Sequence, residues 1–301
     1  MTATTDAILG VPHTKPTFAV PAGACDTHVH VFGPGGRFAY APERVYTPAD
    51  ASIGDLERLH RTLGIDRVVI VHPSPYGTDN ACSLDALRTI GPRARGVAVI
   101  DASESDRQLA DMHEAGVRGV RCNLATAGVG DPEAAWRLVE AASRRVAPLG
   151  WHVQIFTTLP VIAALHDRLM GLPTTLVIDH FGRAKAAAGV GQPGFAQLLS
   201  LVGSGKAYVK LSGGYRVSAL PDWSDVPPLA RALIEANPER MLWGSDWPHP
   251  GAGRVGLARD AIEPFHAIDD GAALNRLAAW AGSADMLKRI LVANPARLYG
   301  Y

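Results

Sequence analysis

The segment CDTHVHVF, residues 25–32, sets His28 and His30 two apart in an apolar, β-branched run. On a strand, residues i and i+2 face the same way. Both imidazoles then project to one side, close enough to share a ligand, which is half of a metal site. Asp26 precedes the pair, is expected to face the same way as His28, and would orient it from behind. Other apolar runs also end in polar groups. His72 follows RVVIV, Arg121 lies in GVRCNL, and Asp179-His180 closes TTLVIDH ahead of Arg183. Ser212 lies in AYVKLSG ahead of Tyr215-Arg216, and Asp246 and His249 lie in WGSDWPHP. Imidazoles, carboxylates and guanidiniums brought together serve proton transfer, metal ligation or carboxylate recognition. Singly, each has a plainer reading: His72 as a rim residue, His180 as a core residue, Arg121 as a carboxylate's partner, Asp246 as a turn cap. His152 opens its run, HVQIF, and is expected to be structural.

Convergence of these residues requires a particular scaffold. The eight apolar runs are ACDTHVHVF, 67–72, 95–101, 119–124, 152–156, 174–180, 207–213 and 240–247. Each is short, rich in Val and Ile and nearly continuously apolar, as strands buried on both faces are. Amphipathic segments such as IGDLERLHRTLG, DRQLADMHEAG and PVIAALHDRLMG lie between them, several closed by a helix-ending Gly. Eight β-then-α units predict an α/β fold, a (β/α)8 TIM barrel, regular or distorted, over residues 21–301 with an N-terminal arm at 1–20. A doubly wound open sheet is the alternative, but no Gly-rich dinucleotide fingerprint follows the first strand. In such a barrel the polar strand ends meet at the C-terminal mouth, where active sites lie.

The bulk numbers agree with a small-molecule enzyme. The chain has 301 residues, 47% of them apolar, with 29 Lys plus Arg against 29 Asp plus Glu. That balance argues against a nucleic-acid partner. Three widely spaced cysteines without a CxxC suit a reducing, cytoplasmic setting. No signal-peptide pattern and no apolar run of membrane-spanning length is found, so no membrane partner is expected.

Together DTHVH, DHFGR and WGSDWPHP resemble the amidohydrolase superfamily, nearest its 2-pyrone-4,6-dicarboxylate lactonase-like branch of sulfomuconolactone and sugar-lactone hydrolases. FAYAPERVYTPADAS, AGVRGVRCN, LGWHV and LPTTLVIDHFGR extend the likeness from about residue 21 to the terminal NPARLYGY. The resemblance implies hydrolysis of an anionic lactone in aromatic-compound catabolism. Asp246 would activate water while His28, His30 and His180 polarise the lactone carbonyl. Arg121, Arg183 and Arg216 would hold substrate carboxylates, with Tyr46, Ser74 and His249 as further contacts.

Zinc-bearing members of the superfamily add a fifth-strand His or a fourth-strand carboxylated Lys to the HxH and the eighth-strand Asp. Here the fourth strand offers Arg121 and the fifth ends in Gln154, Ile155 and Phe156. No cofactor is therefore the preferred expectation. If zinc is bound, His28, His30 and Asp246 hold it, with His180 as a distant fourth. The loop LATAGVGDP lacks the further Arg of the dicarboxylate lactonase, and Phe156 replaces its Tyr. A related lactone with one anionic group, of muconolactone or sugar-acid type, fits as well. The alternatives are a zinc-dependent decarboxylase of the same superfamily and a non-catalytic organic-acid-binding barrel. Oligomeric state is left open.

Overall fold

The computed structural model describes residues 7–251 and 256–301. Eight parallel strands follow one another around a ring: β1 (Cys25–Val29), β2 (Arg67–Val71), β3 (Ala94–Ala98), β4 (Val117–Asn123), β5 (His152–Phe156), β6 (Leu176–Ile178), β7 (Ala207–Ser212) and β8 (Met241–Gly244). The ring closes where His30 N–H donates to Trp247 O (2.8 Å) and Asp246 N–H donates to His28 O (2.9 Å). Each expected apolar run is one of these strands, and helices fill the intervals. The fold is a (β/α)8 barrel.

In two strands a left-handed residue sits just past the end. β6 ends at Ile178 and β8 at Gly244, because His180 (φ 48°) and Asp246 (φ 70°) are left-handed. Extended backbone cannot contain that conformation, and for a non-glycine residue it costs about 1–3 kcal/mol. After β6 the strain continues through Phe181, Gly182 and Arg183, all at positive φ. Gly182 N–H to Asp179 O (3.0 Å) and Asp179 N–H to Ile155 O (3.1 Å) hold that turn. The sharp turns re-aim His180 and Asp246 towards the barrel mouth.

The closing seam needs a glycine. A Cβ at Gly244 would lie 2.5 Å from His28 Cβ and 2.7 Å from His28 N. Gly244→Ala is expected to cost about 1–3 kcal/mol through overpacking, seen as a lower Tm. An unchanged Tm would refute the close approach of β1 and β8.

The barrel interior is layered. Its lower part holds Cys25, Val69, Val97, Val177, Tyr208 and Leu242, closed from below by Tyr299 on the C-terminal helix Asn294–Tyr299. His152 belongs to this end, its ring 5.3 Å from that of Tyr299, as its place at the start of β5 implied. The upper part is polar. Residues 7–20 contain no helix and are tied to the helix Asp270–Ala281 and its cap: Thr14 N–H donates to Asp269 (2.9 Å) and Thr17 N–H to Asn275 (2.8 Å). No helix among the described residues is long and apolar enough to cross a membrane.

Candidate active site

A bulge in β1 aims the two histidines. The register pairs Cys25 with Arg67 and Asp26 with Val68, then Val29 with Ile70, which leaves one extra residue on β1. His28 and His30 turn into the barrel, while Asp26 turns out. Asp26 therefore does not face with His28, because the extra residue breaks the simple alternation. Its Oδ1 accepts the backbone N–H of His28 (3.1 Å) and Ser245 (2.9 Å), and its Oδ2 lies 3.4 Å from His60 Nε2 on the helix Ile53–Leu63. Asp26 locks the β1–β8 seam rather than the imidazole.

Asp246 is the centre of the mouth. Nε2 of His28, His30 and His180 each lies 3.7 Å from its Oδ1. That oxygen is buried and accepts no hydrogen bond. The other oxygen is saturated, by Tyr215 Oη (2.7 Å) and Arg216 Nε (2.6 Å). Burial opposes the charge on Asp246, but the Arg216 guanidinium above all offsets it, holding the carboxyl well below the usual range. Burial pushes His28 and His30 down and takes His180 to about 4, so all three imidazoles are neutral near pH 7.

Neutral imidazoles carry one proton, and their partners say where. His30 Nδ1 is 2.8 Å from Val71 O, which can only accept. Its proton is on Nδ1, and Nε2 presents a lone pair to Asp246 and the cleft. In that tautomer His30 Nε2 is an acceptor. His180 Nδ1 meets Ser212 Oγ at 2.8 Å, a hydroxyl that serves either tautomer.

A small cleft opens above Asp246, lined by His30, Tyr46, Ser74, Arg121, Phe156, His180 and Arg216 among others. His28 is not in its wall; it is fully buried behind Asp246. Tyr46 is hydrogen-bonded to Ser74, and burial raises its phenol. Arg121 and Arg216 reach the cleft already engaged: Arg121 Nε and NH2 each sit 3.1 Å from Asp179 Oδ2, and Arg216 pairs with Asp246. Arg183 is outside the wall; its guanidinium lies 5.3 Å from the Phe156 ring, which Arg121 also approaches at 5.2 Å. His249 is also outside, its Nε2 3.1 Å from the Asp270 carboxylate and its ring 5.7 Å from that of Tyr215.

The family model described as Amidohydrolase matches residues 25–301. The chain belongs to the amidohydrolase family. A 2-pyrone-4,6-dicarboxylate hydrolase of Comamonas testosteroni is 41% identical over 95% of this chain and 92% of its own. A 4-sulfomuconolactone hydrolase of Rhizobium radiobacter is 39% identical over 94% and 92%. Among solved structures, a probable 2-pyrone-4,6-dicarboxylic acid hydrolase of Acinetobacter baumannii with citric acid bound superposes with a TM-score of 0.77. It is 26% identical and is matched over 93% of this chain and 100% of its own.

Amidohydrolases often use a metal, and the donor types here suit a divalent cation. His28, His30 and Asp246 form one group of convergent ligand atoms, and His28, Asp179 and His180 form another. The bare Asp246 Oδ1 and His28 Nε2 belong to that set. The surroundings do not suit a cation. Arg216 occupies the second oxygen of Asp246, and the Lys210 ammonium stands 3.2 Å from His28 Nδ1. Two carboxylates, Asp179 and Asp246, already face three cations, Arg121, Arg216 and Lys210.

Sequence reasoning passed over the layer beneath this amidohydrolase's site. Asp179 accepts from Gln154 Nε2 (3.1 Å) as well as from Arg121. Burial works against its charge, yet the permanent cations beside it, Arg121 and Lys210, hold it below the usual carboxylate range. Lys210 is wholly buried in AYVKLS, and burial lowers it to about 8. A lysine inside a strand buried on both faces is itself a signal, because an unpaired buried ammonium is not tolerated.

Proposed function

We propose that this amidohydrolase hydrolyses a carboxylate-bearing lactone, with Asp246 as general base and no metal. The observation that carries the reading is the bare Asp246 Oδ1, ringed by three imidazole nitrogens at 3.7 Å beneath a cleft that also holds Arg121 and Arg216. Its relatives named for pyrone dicarboxylate and sulfomuconolactone hydrolysis, and the citric acid held by the Acinetobacter protein, support an anionic lactone as substrate.

In this reading a water in the cleft gives a proton to Asp246 Oδ1 as its oxygen attacks the lactone carbonyl. The His30 Nε2 lone pair accepts the water's other proton as a hydrogen bond and aims the oxygen. The developing oxyanion is met by His180, in its Nε2–H form with Ser212 donating to Nδ1, and by Arg216. The ring C–O bond then breaks, and Asp246 returns its proton to the leaving oxygen. The products are a carboxylic acid and an alcohol or enol. Arg121, Tyr46 and Ser74 contact the substrate's anionic group; Arg183 and His249 act from behind, through Phe156 and Tyr215.

Phe156 and the arginine-free loop at 124–131 remove polar grip from one side. A substrate with one anionic group beyond the lactone, of the muconolactone or sugar-acid lactone kind, suits that wall best. A cytoplasmic role in aromatic-acid breakdown follows from the reading.

The test is a panel of pyrone, muconolactone, sulfomuconolactone and sugar-acid lactones, run with and without EDTA on protein of measured metal content. Hydrolysis of a carboxylated or sulfonated member, unchanged by EDTA, is expected. Activity lost to EDTA and restored by zinc would overturn the metal-free mechanism. Binding of these acids without turnover would leave an organic-acid-binding barrel.

A further inference from the structure

We propose that Lys210 is a positioning residue that fixes His28 in its Nε2–H tautomer, so that the HxH pair acts as one donor and one acceptor instead of two metal ligands. Lys210 projects from β7 into the barrel axis with no solvent exposure. Its Nζ meets three acceptors: Thr27 O at 2.8 Å, Gln154 Oε1 at 2.7 Å and His28 Nδ1 at 3.2 Å. An ammonium has three protons and no lone pair. All three contacts must therefore be donations from lysine, and His28 Nδ1 must be unprotonated. The one proton of neutral His28 is then on Nε2, facing Asp246 Oδ1.

The competing partner is Asp179 Oδ1, 3.3 Å from the same Nδ1. An Nδ1–H donating there would give the opposite tautomer, the one a metal-binding histidine adopts. The lysine contact is a hydrogen bond at 3.2 Å, whereas the Asp179 contact, at 3.3 Å, does not meet hydrogen-bond geometry. His30, two residues on, is fixed the other way by Val71 O. Two histidines that look equivalent in CDTHVHVF thus differ in which nitrogen carries the proton.

The consequence is a division of labour. His28 points a proton towards the oxygen that Tyr215 and Arg216 leave free, 3.7 Å away. His30 offers the lone pair. For His28 to ligate a cation through Nε2, its proton would have to move to Nδ1, and the Lys210 hydrogen bond would be lost. The assignment of the tautomer rests on the hydrogen bonds alone; its effect on rate rests on the lactonase reading.

Long-range ¹H–¹⁵N spectra of histidine-labelled protein decide it, with His28 assigned by its loss in His28→Gln. Wild type is expected to show His28 protonated at Nε2 and His30 at Nδ1. In Lys210→Met, His28 is expected to move to the Nδ1–H form and zinc affinity to rise. Lys210→Gln keeps a donor and is expected to preserve the wild-type pattern. Removing a partner of this kind typically costs about 10- to 100-fold, so kcat should fall by that factor in Lys210→Met, with KM little changed and partial recovery in Lys210→Gln. A wild-type spectrum with His28 protonated at Nδ1 overturns the proposal whether or not the variants fold. The expected spectra with no lactone hydrolysed would leave Lys210's role standing and overturn the proposed activity.

Discussion

Asp246→Asn is expected to lower kcat for lactone hydrolysis by about 10³-fold, within the range typical for loss of a positioned proton acceptor. The substitution keeps the shape of the side chain. Its carboxamide oxygen, placed where Oδ2 now sits, still accepts from Tyr215 Oη and Arg216 Nε. What changes is the atom at the centre of the imidazole ring. An NH₂ replaces the bare Oδ1, and it has no lone pair to receive a proton from water. It also opposes the proton that His28 directs there. Arg216 keeps its bond to Pro250 O (3.0 Å), which limits the structural damage. Initial rates on the best lactone of the panel, beside a circular-dichroism melt, separate chemistry from folding. A folded Asp246→Asn variant that retains more than a tenth of the wild-type kcat would remove Asp246 as the base.

Acid is expected to unfold this protein early, with stability falling steeply below about pH 6.5. The cause is a set of histidines buried in neutral form. Burial takes His72 and His180 to about 4 and His152 to about 3, and it lowers His28 and His30 as well. In the unfolded chain each titrates near 6.5. Between that value and the folded one, the unfolded state binds more protons, so stability rises with pH and drops as pH falls. Each such imidazole contributes a slope on the order of 1 kcal/mol per pH unit once the pH is well below 6.5. Even His72, His152 and His180 alone sum to several kcal/mol by pH 5. That is comparable with the about 5–15 kcal/mol that holds a typical domain together. Asp179 and Asp246, depressed by their cations, add a further loss only below about pH 4, where carboxylates protonate in the unfolded chain. Urea midpoints at pH 7.5, 6 and 5 measure this. A midpoint constant from pH 7.5 to 5 would mean that these histidines are not held neutral in the fold.

The scaffold and the outline of the site were legible because both depend on local signals. A strand buried on both faces reads as a short apolar run, and a barrel's mouth reads as polar residues at the ends of those runs. Asp246, His30, His180, Arg121 and Arg216 were found this way, and the cleft gathers all five. Asp26 was misdirected because one extra residue in β1 shifts the alternation, and a bulge leaves no mark in the local pattern. Arg183 and His249 sit near the site but turn to Phe156 and Asp270. Lys210 carried a visible signal, a charge in the middle of AYVKLS, but nothing nearby in the chain names its partners.

By itself, the order of residues determined which chemical groups this amidohydrolase has and which end of the barrel they occupy. Strand period and apolar burial are properties of a few consecutive residues, and they suffice for that. The protonation pattern of the site was decided only by tertiary structure. His30 takes its tautomer from Val71, 41 residues away, and His28 takes the opposite one from Lys210, 182 residues away. Hydrogen bonds act over about 3 Å of space whatever the distance along the chain. The spacing of CDTHVHVF makes its two histidines alike, and the barrel around them makes them different.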